Sequence, residues 1–375
     1  MKIGITCYPT YGGSGIVATE LGLELAARGH DVHFITYANP IRLDPGTPRI
    51  HYHEVEVSTY PLFQYPPYSL ALAGRMADVA ESYDLDLLHV HYAIPHSISA
   101  LLARDMLKPI RRVPFVTTLH GTDITLVGMD RSYYGITKYS IEQSDGVTSI
   151  SNELRQHTYD VFKVKNEIRV IHNFVNCDTY APDPDRLGAA EYAPKGEKLL
   201  IHLSNFRPVK RVNDCVRILA EVRKHTDARL LMVGDGPDRA PAEYLAHDLG
   251  VHRHIEFLGK QNHVERLIRL AHVLLMPSEM ESFGLAALEA MACAVPAVAT
   301  RVGGVPELIE HGVDGFTERV GDVEAQAARV VSLLTDEGLH TRMSAAARHT
   351  ATTRFCTGKI IPRYEKYYED VLAQA

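Results

Sequence analysis

KIGITCYPTYGGSGIVATELGLELAARGHDVHFIT, residues 2–36, is the stretch that decides the fold. Ile3 to Cys7 is an apolar run of strand length, and Gly12-Gly13-Ser14-Gly15 supplies a turn after it. Ile16 to Arg28 then carries a helical pattern that Gly29 stops, and Val32 to Thr36 returns as a strand. A strand, a helix and a strand in that order form a βαβ unit, the opening of a parallel sheet.

The alternation continues outward. Strand-like runs at Leu87 to Val90, Phe115 to Leu119 and Gly146 to Ile150 alternate with helical patterns at Ser69 to Glu81, Ile94 to Leu107 and Gly135 to Gln143. Asn173 to Lys198, rich in Asp, Pro, Ala and Gly, breaks the pattern. A second series follows, with strands at Leu199 to Leu203, Arg229 to Val233, His254 to Phe257, Val273 to Met276 and Ala297 to Ala299. Its helices fall near Val212 to Lys224, Ala242 to Asp248, Val264 to Leu270, Gly284 to Cys293 and Val323 to Leu334. The predicted class is α/β, two doubly wound Rossmann-like domains facing across a cleft, with ligands at the carboxyl ends of the strands. The expected division is 1–172, a connection over 173–198, a second domain over 199–358, and a helix over 359–375 packing back on the first domain.

Composition bounds the function. The 375 residues are 46% hydrophobic and 23% charged, which excludes disordered, collagen-like and coiled-coil chains. With 39 basic against 46 acidic side chains the net charge is -7, so nucleic acid and anionic membrane are poor partners. Cys7, Cys177, Cys215, Cys293 and Cys356 are odd in number and form no C-x-x-C pair, and read as reduced thiols of a cytoplasmic protein. No signal peptide is expected, since the apolar run ends before Tyr8 and Pro9. Leu285 to Thr300 carries Glu289 and is broken by Pro296, so no stable membrane insertion is expected either.

The motifs stand at predicted strand ends. The turn Gly13-Ser14-Gly15 before a helix suits a phosphate, because backbone N–H groups and the helix dipole attract anions. It lacks the acid a nicotinamide ribose needs at the end of the second strand, where Thr36-Tyr37-Ala38-Asn39 stands, and a tight structural turn would look the same. His89, His91 and His96, and the pair His51 and His53, have H-x-H spacing, but no third metal ligand is convincingly placed and no metal is expected. Thr117-Thr118-Leu119-His120-Gly121-Thr122-Asp123 ends a buried strand in polar residues, and His120 reads either as a substrate hydrogen-bonding group or as a satisfied core histidine. Ser204 to Arg211 concentrates Arg207, Lys210 and Arg211, a cluster suited to a diphosphate or simply a solvated turn. Glu281-Ser282-Phe283-Gly284-Leu285 leads into a helix bearing Glu289, where N–H groups could hold an anion and carboxylates sugar hydroxyls.

Together these segments resemble the retaining glycosyltransferases of the glycosyltransferase-B fold, the large family of glycogen and sucrose synthases. The Glu281-x7-Glu289 pair, Lys210, His120-Gly121 and the Gly12-Gly13 loop are its marks. Tyr65-Pro66-Pro67-Tyr68, His89 to His96 and Ser204 to Val212 bring the resemblance closest to the branch that transfers N-acetylglucosamine from UDP-GlcNAc to L-malate with retention, the first step of bacillithiol biosynthesis. The resemblance covers nearly the whole chain. It implies that Gly13 approaches the sugar diphosphate, Lys210 pairs with its phosphates and Glu289 binds the ribose. Glu281, Ser282 and the N–H groups of Phe283, Gly284 and Leu285 would hold the donor sugar, and His120 would touch its 6-hydroxyl. The family's usual arginine five residues before the lysine is Asn205 here, so Arg207 or Arg211 would supply that charge.

The acceptor dicarboxylate would be read by Ser14, Tyr92, Thr118 and Arg42. No cofactor is expected, the UDP-sugar being a substrate and the reaction independent of metal; a homo-oligomer is left open. Another UDP-sugar-dependent glycosyltransferase with a different acceptor, a nucleotide-sugar epimerase, and a nucleotide-sugar sensor are the alternatives, and turnover with and without malate separates them.

Overall fold

The computed structural model describes residues 1–375 apart from Tyr11, Pro45, Thr59, Tyr60 and Phe63. The chain forms two units, Met1–His172 with Ile360–Ala375, and Asn173–Lys359.

The first unit is a seven-stranded sheet of β1 (Lys2–Thr6), β2 (Asp31–Thr36), β3 (Ile50–Glu54), β4 (Leu87–His91), β5 (Phe115–Leu119), β6 (Gly146–Ser149) and β7 (Ile168–Val170). Every pairing is parallel, in the order β3-β2-β1-β4-β5-β6-β7. β4 and β5 are buried along their whole length, as central strands covered on both faces must be. The order reverses between β1 and β4, so the crevice at their carboxyl ends is the natural ligand position. The helix Gly13–Ala27 follows β1 directly. Gly15 is required there, because a Cβ would lie 2.4 Å from the Tyr8 carbonyl oxygen.

The expected helix over 94–107 is interrupted. Ala93–Ser97 forms a single wide turn with a cis Ile94–Pro95 bond, and the regular helix is Ile98–Leu107. Pro95 disfavours helical backbone at Ile94, which is extended at φ -133° and ψ 140°.

The last residues of the chain complete this unit. The Tyr368 hydroxyl lies 2.7 Å from His89 Nδ1, Tyr367 donates to the Val147 carbonyl at 3.1 Å, and Arg169 pairs with Asp370 at 2.9 Å.

The second unit holds β8 (Lys198–Leu203), β9 (Ala228–Val233), β10 (Ile255–Gly259), β11 (Val273–Met276), β12 (Ala297–Thr300) and β13 (Gly315–Glu318), all parallel in the order β10-β9-β8-β11-β12-β13. Its core joins Leu200, Leu230 and Val298 of the sheet to Ile218, Leu219, Val330 and Leu333 of the helices Val212–Val222 and Val323–Thr335. Asn173–Lys198, read above as a connection, is part of this unit. The helix Glu337–Arg354 was not anticipated; it buries only Met343, Ala347 and Ala351, four residues apart, too narrow a stripe to stand out. The cysteine reading needs one correction. Cys7, Cys215 and Cys293 are buried thiols, but Cys177 and Cys356 are paired, their Cα atoms 5.7 Å apart.

Candidate active site

In the second unit β8 and β11 are neighbours, and the loops leaving their carboxyl ends meet. The Glu279 amide donates to the Val209 carbonyl at 2.8 Å, holding the acidic loop beside the basic one. Lys210 sits in the short 3-10 turn Pro208–Lys210 and its Nζ donates to Glu281 Oε2 at 2.5 Å, both side chains remaining partly open to solvent. An ammonium offers charge to an anion and a carboxylate accepts from hydroxyls, so this pair has the chemistry for a sugar diphosphate.

The other two cations differ. Arg211 has left-handed backbone at φ 50° and its Nε donates to Asp214 Oδ2 at 2.6 Å; Arg217 takes the other carboxylate oxygen at 2.8 Å. Arg211 is thus committed to the start of its own helix. Arg207 is exposed and forms no ion pair among the described residues. Asn205 has a buried Oδ1 without a hydrogen-bond partner.

Two glycines that the sequence reading passed over press against this loop. A Cβ on Gly234, at φ 122°, would lie 1.8 Å from the Ser204 carbonyl oxygen, and one on Gly236 would lie 2.1 Å from that of Asn205. The G-x-G at the end of β9 was the available signal.

The helix Leu285–Ala292 starts after Gly284, whose φ of 95° suits glycine, and has no side-chain cap. Ser282 is half-buried, and Phe283 is buried edge-on against Phe355 with ring centres 5.5 Å apart. Glu289 is buried on the same helix and accepts from the Tyr180 hydroxyl at 2.8 Å, a partner not foreseen.

In the first unit Gly13 opens its helix and the Ser14 hydroxyl donates to the Tyr92 oxygen at 3.2 Å. Tyr92 holds φ at 91°, a left-handed backbone unusual for a side chain of this size, and its ring stacks on His120 at 5.5 Å. His120 Nε2 lies 2.8 Å from His91 Nδ1, and His96 Nδ1 lies 2.5 Å from the His91 carbonyl. Burial lowers the pKa of His89 and His120 to about 3 and of His96 to about 4, so these rings are neutral at pH 7. Asp123 is buried and accepts from the amides of Ala93 (2.9 Å), Gly121 (2.9 Å) and His120 (3.2 Å). Burial raises its pKa to about 6 against those three bonds.

Two acceptor candidates find other partners. Thr118 is completely buried, its hydroxyl 2.7 Å from His89 Nε2 and 2.6 Å from the Thr148 hydroxyl, so it belongs to the core between strands. Arg42 pairs with Glu20 at 3.3 Å. Of the other H-x-H pair, His53 Nε2 lies 2.9 Å from His33 Nδ1 while His51 stacks on His33. Among the described residues no group of three or more His, Cys, Asp or Glu side chains is arranged for a metal ion.

Residues 11–179 match the model of Glycosyltransferase Family 4 and residues 186–350 that of Glycosyl transferases group 1. Over 373 residues the chain is 48% identical to N-acetyl-alpha-D-glucosaminyl L-malate synthase of Bacillus anthracis, covering 99% of this chain and 97% of that one. The chain belongs to the glycosyltransferase family. This glycosyltransferase is also 27% identical to glycogen synthase of Mycobacterium tuberculosis, over 92% of its own length and 87% of the relative's. Among solved structures it superposes on a Rickettsia africae glycosyltransferase with a TM-score of 0.84 at 22% identity, covering 100% of this chain and 99% of that one. Anabaena HepE, solved with UDP and glucose, gives 0.83 at 18% identity, covering 98% and 99%. These neighbours establish that the glycosyltransferase has the glycosyltransferase-B fold. None of its helices is long and apolar enough to cross a membrane among the described residues.

Proposed function

We propose that this glycosyltransferase moves N-acetylglucosamine from UDP-GlcNAc to the hydroxyl of L-malate, with retention at the anomeric carbon. The observation that carries the reading is the 48% identity, over 99% of the chain, to a synthase named for that product. The first step of bacillithiol biosynthesis, in the cytoplasm, is the setting it implies.

The residues support the chemistry. Breaking the anomeric C–O bond leaves negative charge on the diphosphate. Lys210, Arg207 and the uncapped helix start at Gly284 and Leu285 supply positive charge for it, so no metal is needed. Glu281 then turns from Lys210 to the donor hydroxyls, and Glu289, oriented by Tyr180, takes the ribose. The acceptor hydroxyl attacks on the face the diphosphate leaves, and a phosphate oxygen receives its proton. Ser14 and Tyr92, already hydrogen-bonded to each other, are the acceptor-binding residues, with Arg42 as the cation once released from Glu20.

Product analysis tests the reading, with each substrate omitted in turn and with EDTA present. UDP release that requires malate, yields an α-glycoside and survives EDTA is expected. UDP-GlcNAc binding without malate-dependent turnover would end the acceptor assignment, and an EDTA-sensitive rate would end the metal-independent one.

A further inference from the structure

His91 and His120 share one proton across the ends of β4 and β5, over the 2.8 Å between His91 Nδ1 and His120 Nε2. Which ring owns it decides what the far side of His120 presents. Both rings are buried and neutral at pH 7, so each carries a single proton.

The surroundings settle ownership. The Nε2 of His91 is buried and has no hydrogen-bond partner. If His120 carried its proton on Nε2 and donated it, His91 would have to carry its own on Nε2, leaving a buried N–H orphaned. Orphaned buried donors are rarer than bare acceptors, because a buried N–H without a partner loses its hydration with nothing in exchange. With the roles reversed, His91 Nδ1–H donates and only a bare nitrogen is left alone. His96 follows the same rule, since a carbonyl can only accept: its Nδ1–H donates to the His91 carbonyl and its Nε2 is bare.

We propose that His91 donates its Nδ1 proton to His120 Nε2 and thereby fixes His120 as the Nδ1–H tautomer, a hydrogen-bond donor for a substrate hydroxyl. His91 is a positioning residue. Asp123 completes the arrangement by gripping the amides of His120 and Gly121, so ring and backbone are both held. Nδ1 is the one polar ring atom of His120 that no described residue engages. Only the final clause, the substrate hydroxyl, rests on the function proposed above.

The test uses the full chain labelled with 15N-histidine. Two-bond 1H–15N correlations separate the tautomers, and His120 is assigned by the signals lost in His120→Gln. His120 with a protonated Nδ1 and a bare Nε2 is expected; a protonated Nε2 overturns the proposal. His91→Asn keeps an N–H near the Nδ1 position and should hold kcat/KM within about threefold, whereas His91→Leu should lose about tenfold, the worth of one hydrogen bond. Equal losses in the two variants would overturn the positioning role. Should either variant misfold, the wild-type spectrum still decides. The spectrum is independent of which sugar is transferred, so a failure of UDP-GlcNAc to react would reject the donor and leave the tautomer standing.

Discussion

Lys210 and Glu281 stand 2.5 Å apart on loops that follow two different strands, so the cation and the carboxylate of the candidate donor site are paired with each other. Each loop positions the other's charged group.

Lys210→Ala removes the charge opposite the leaving diphosphate and leaves Glu281 unpaired. The kcat at saturating donor is expected to fall about 100- to 1,000-fold, the range for losing one electrostatic stabiliser of the transition state. Steady-state UDP release measures it, and an unchanged kcat would remove Lys210 from the chemistry.

Arg207 and Arg211 should separate by experiment. Arg207→Ala is expected to weaken UDP binding several-fold with little change in melting temperature. Arg211→Ala takes one partner from buried Asp214 and should instead lower the melting temperature by about 2–4 °C, as a loss near 1 kcal/mol does in a domain of this size. Calorimetric titration with UDP and thermal unfolding, run on both variants, decide between the roles.

Tyr180→Phe deletes only the hydroxyl that donates to Glu289. The donor KM should rise by up to about tenfold, one hydrogen bond's worth, with kcat nearly unchanged. A fall in kcat at constant KM would contradict a ribose-binding role for Glu289.

Stability should depend on pH with a definite sign. His89, His96 and His120 have pKa values near 3, 4 and 3 in the folded chain, below the value of about 6.5 for unfolded histidine. Their contribution is complete above about pH 6.5 and is lost as the pH falls, because the unfolded chain takes up protons the folded chain refuses. Asp123, raised to about 6, acts oppositely between about pH 6 and 4, gaining its proton first in the folded state. Three histidines outweigh one acid, at about 1.4 kcal/mol per pH unit for each net proton. The melting temperature should therefore drop steadily from pH 7 to pH 5; a flat profile would mean that these rings are not held neutral.

Most of the sheet strands legible in the sequence are buried along nearly their whole length; the edge strand β10 was legible although largely uncovered, and the buried four-residue β13 was not. Val273–Met276 and Phe115–Leu119 read as apolar runs between turn residues because the sheet leaves them no solvent side. β3 was missed because its sequence, Ile-His-Tyr-His-Glu, is half polar, as an edge strand can be. β7 has only three residues, too few to show a period. At the candidate site, the clusters at 204–211 and 279–289 stood out because polar residues gather where buried strands end. His91 was read as a metal-ligand candidate and Asp123 only as part of a polar run. Their partners are set by the pairing of β4 with β5, which puts His91 beside Thr118, and no local pattern reports that register.

The unit to which residues 360–375 belong bears on how the chain is made. A ribosome delivers His89 early, but Tyr368, which closes over it, emerges only after the whole of Asn173–Lys359. The second unit is continuous in sequence and can fold as soon as it is free, whereas the first must wait, partly assembled, for its final helix. Nascent chains in which residue 359 has emerged from the ribosome but residues 360–375 have not would therefore carry a finished second unit behind an unfinished first one, reversing the usual order in which domains mature during translation.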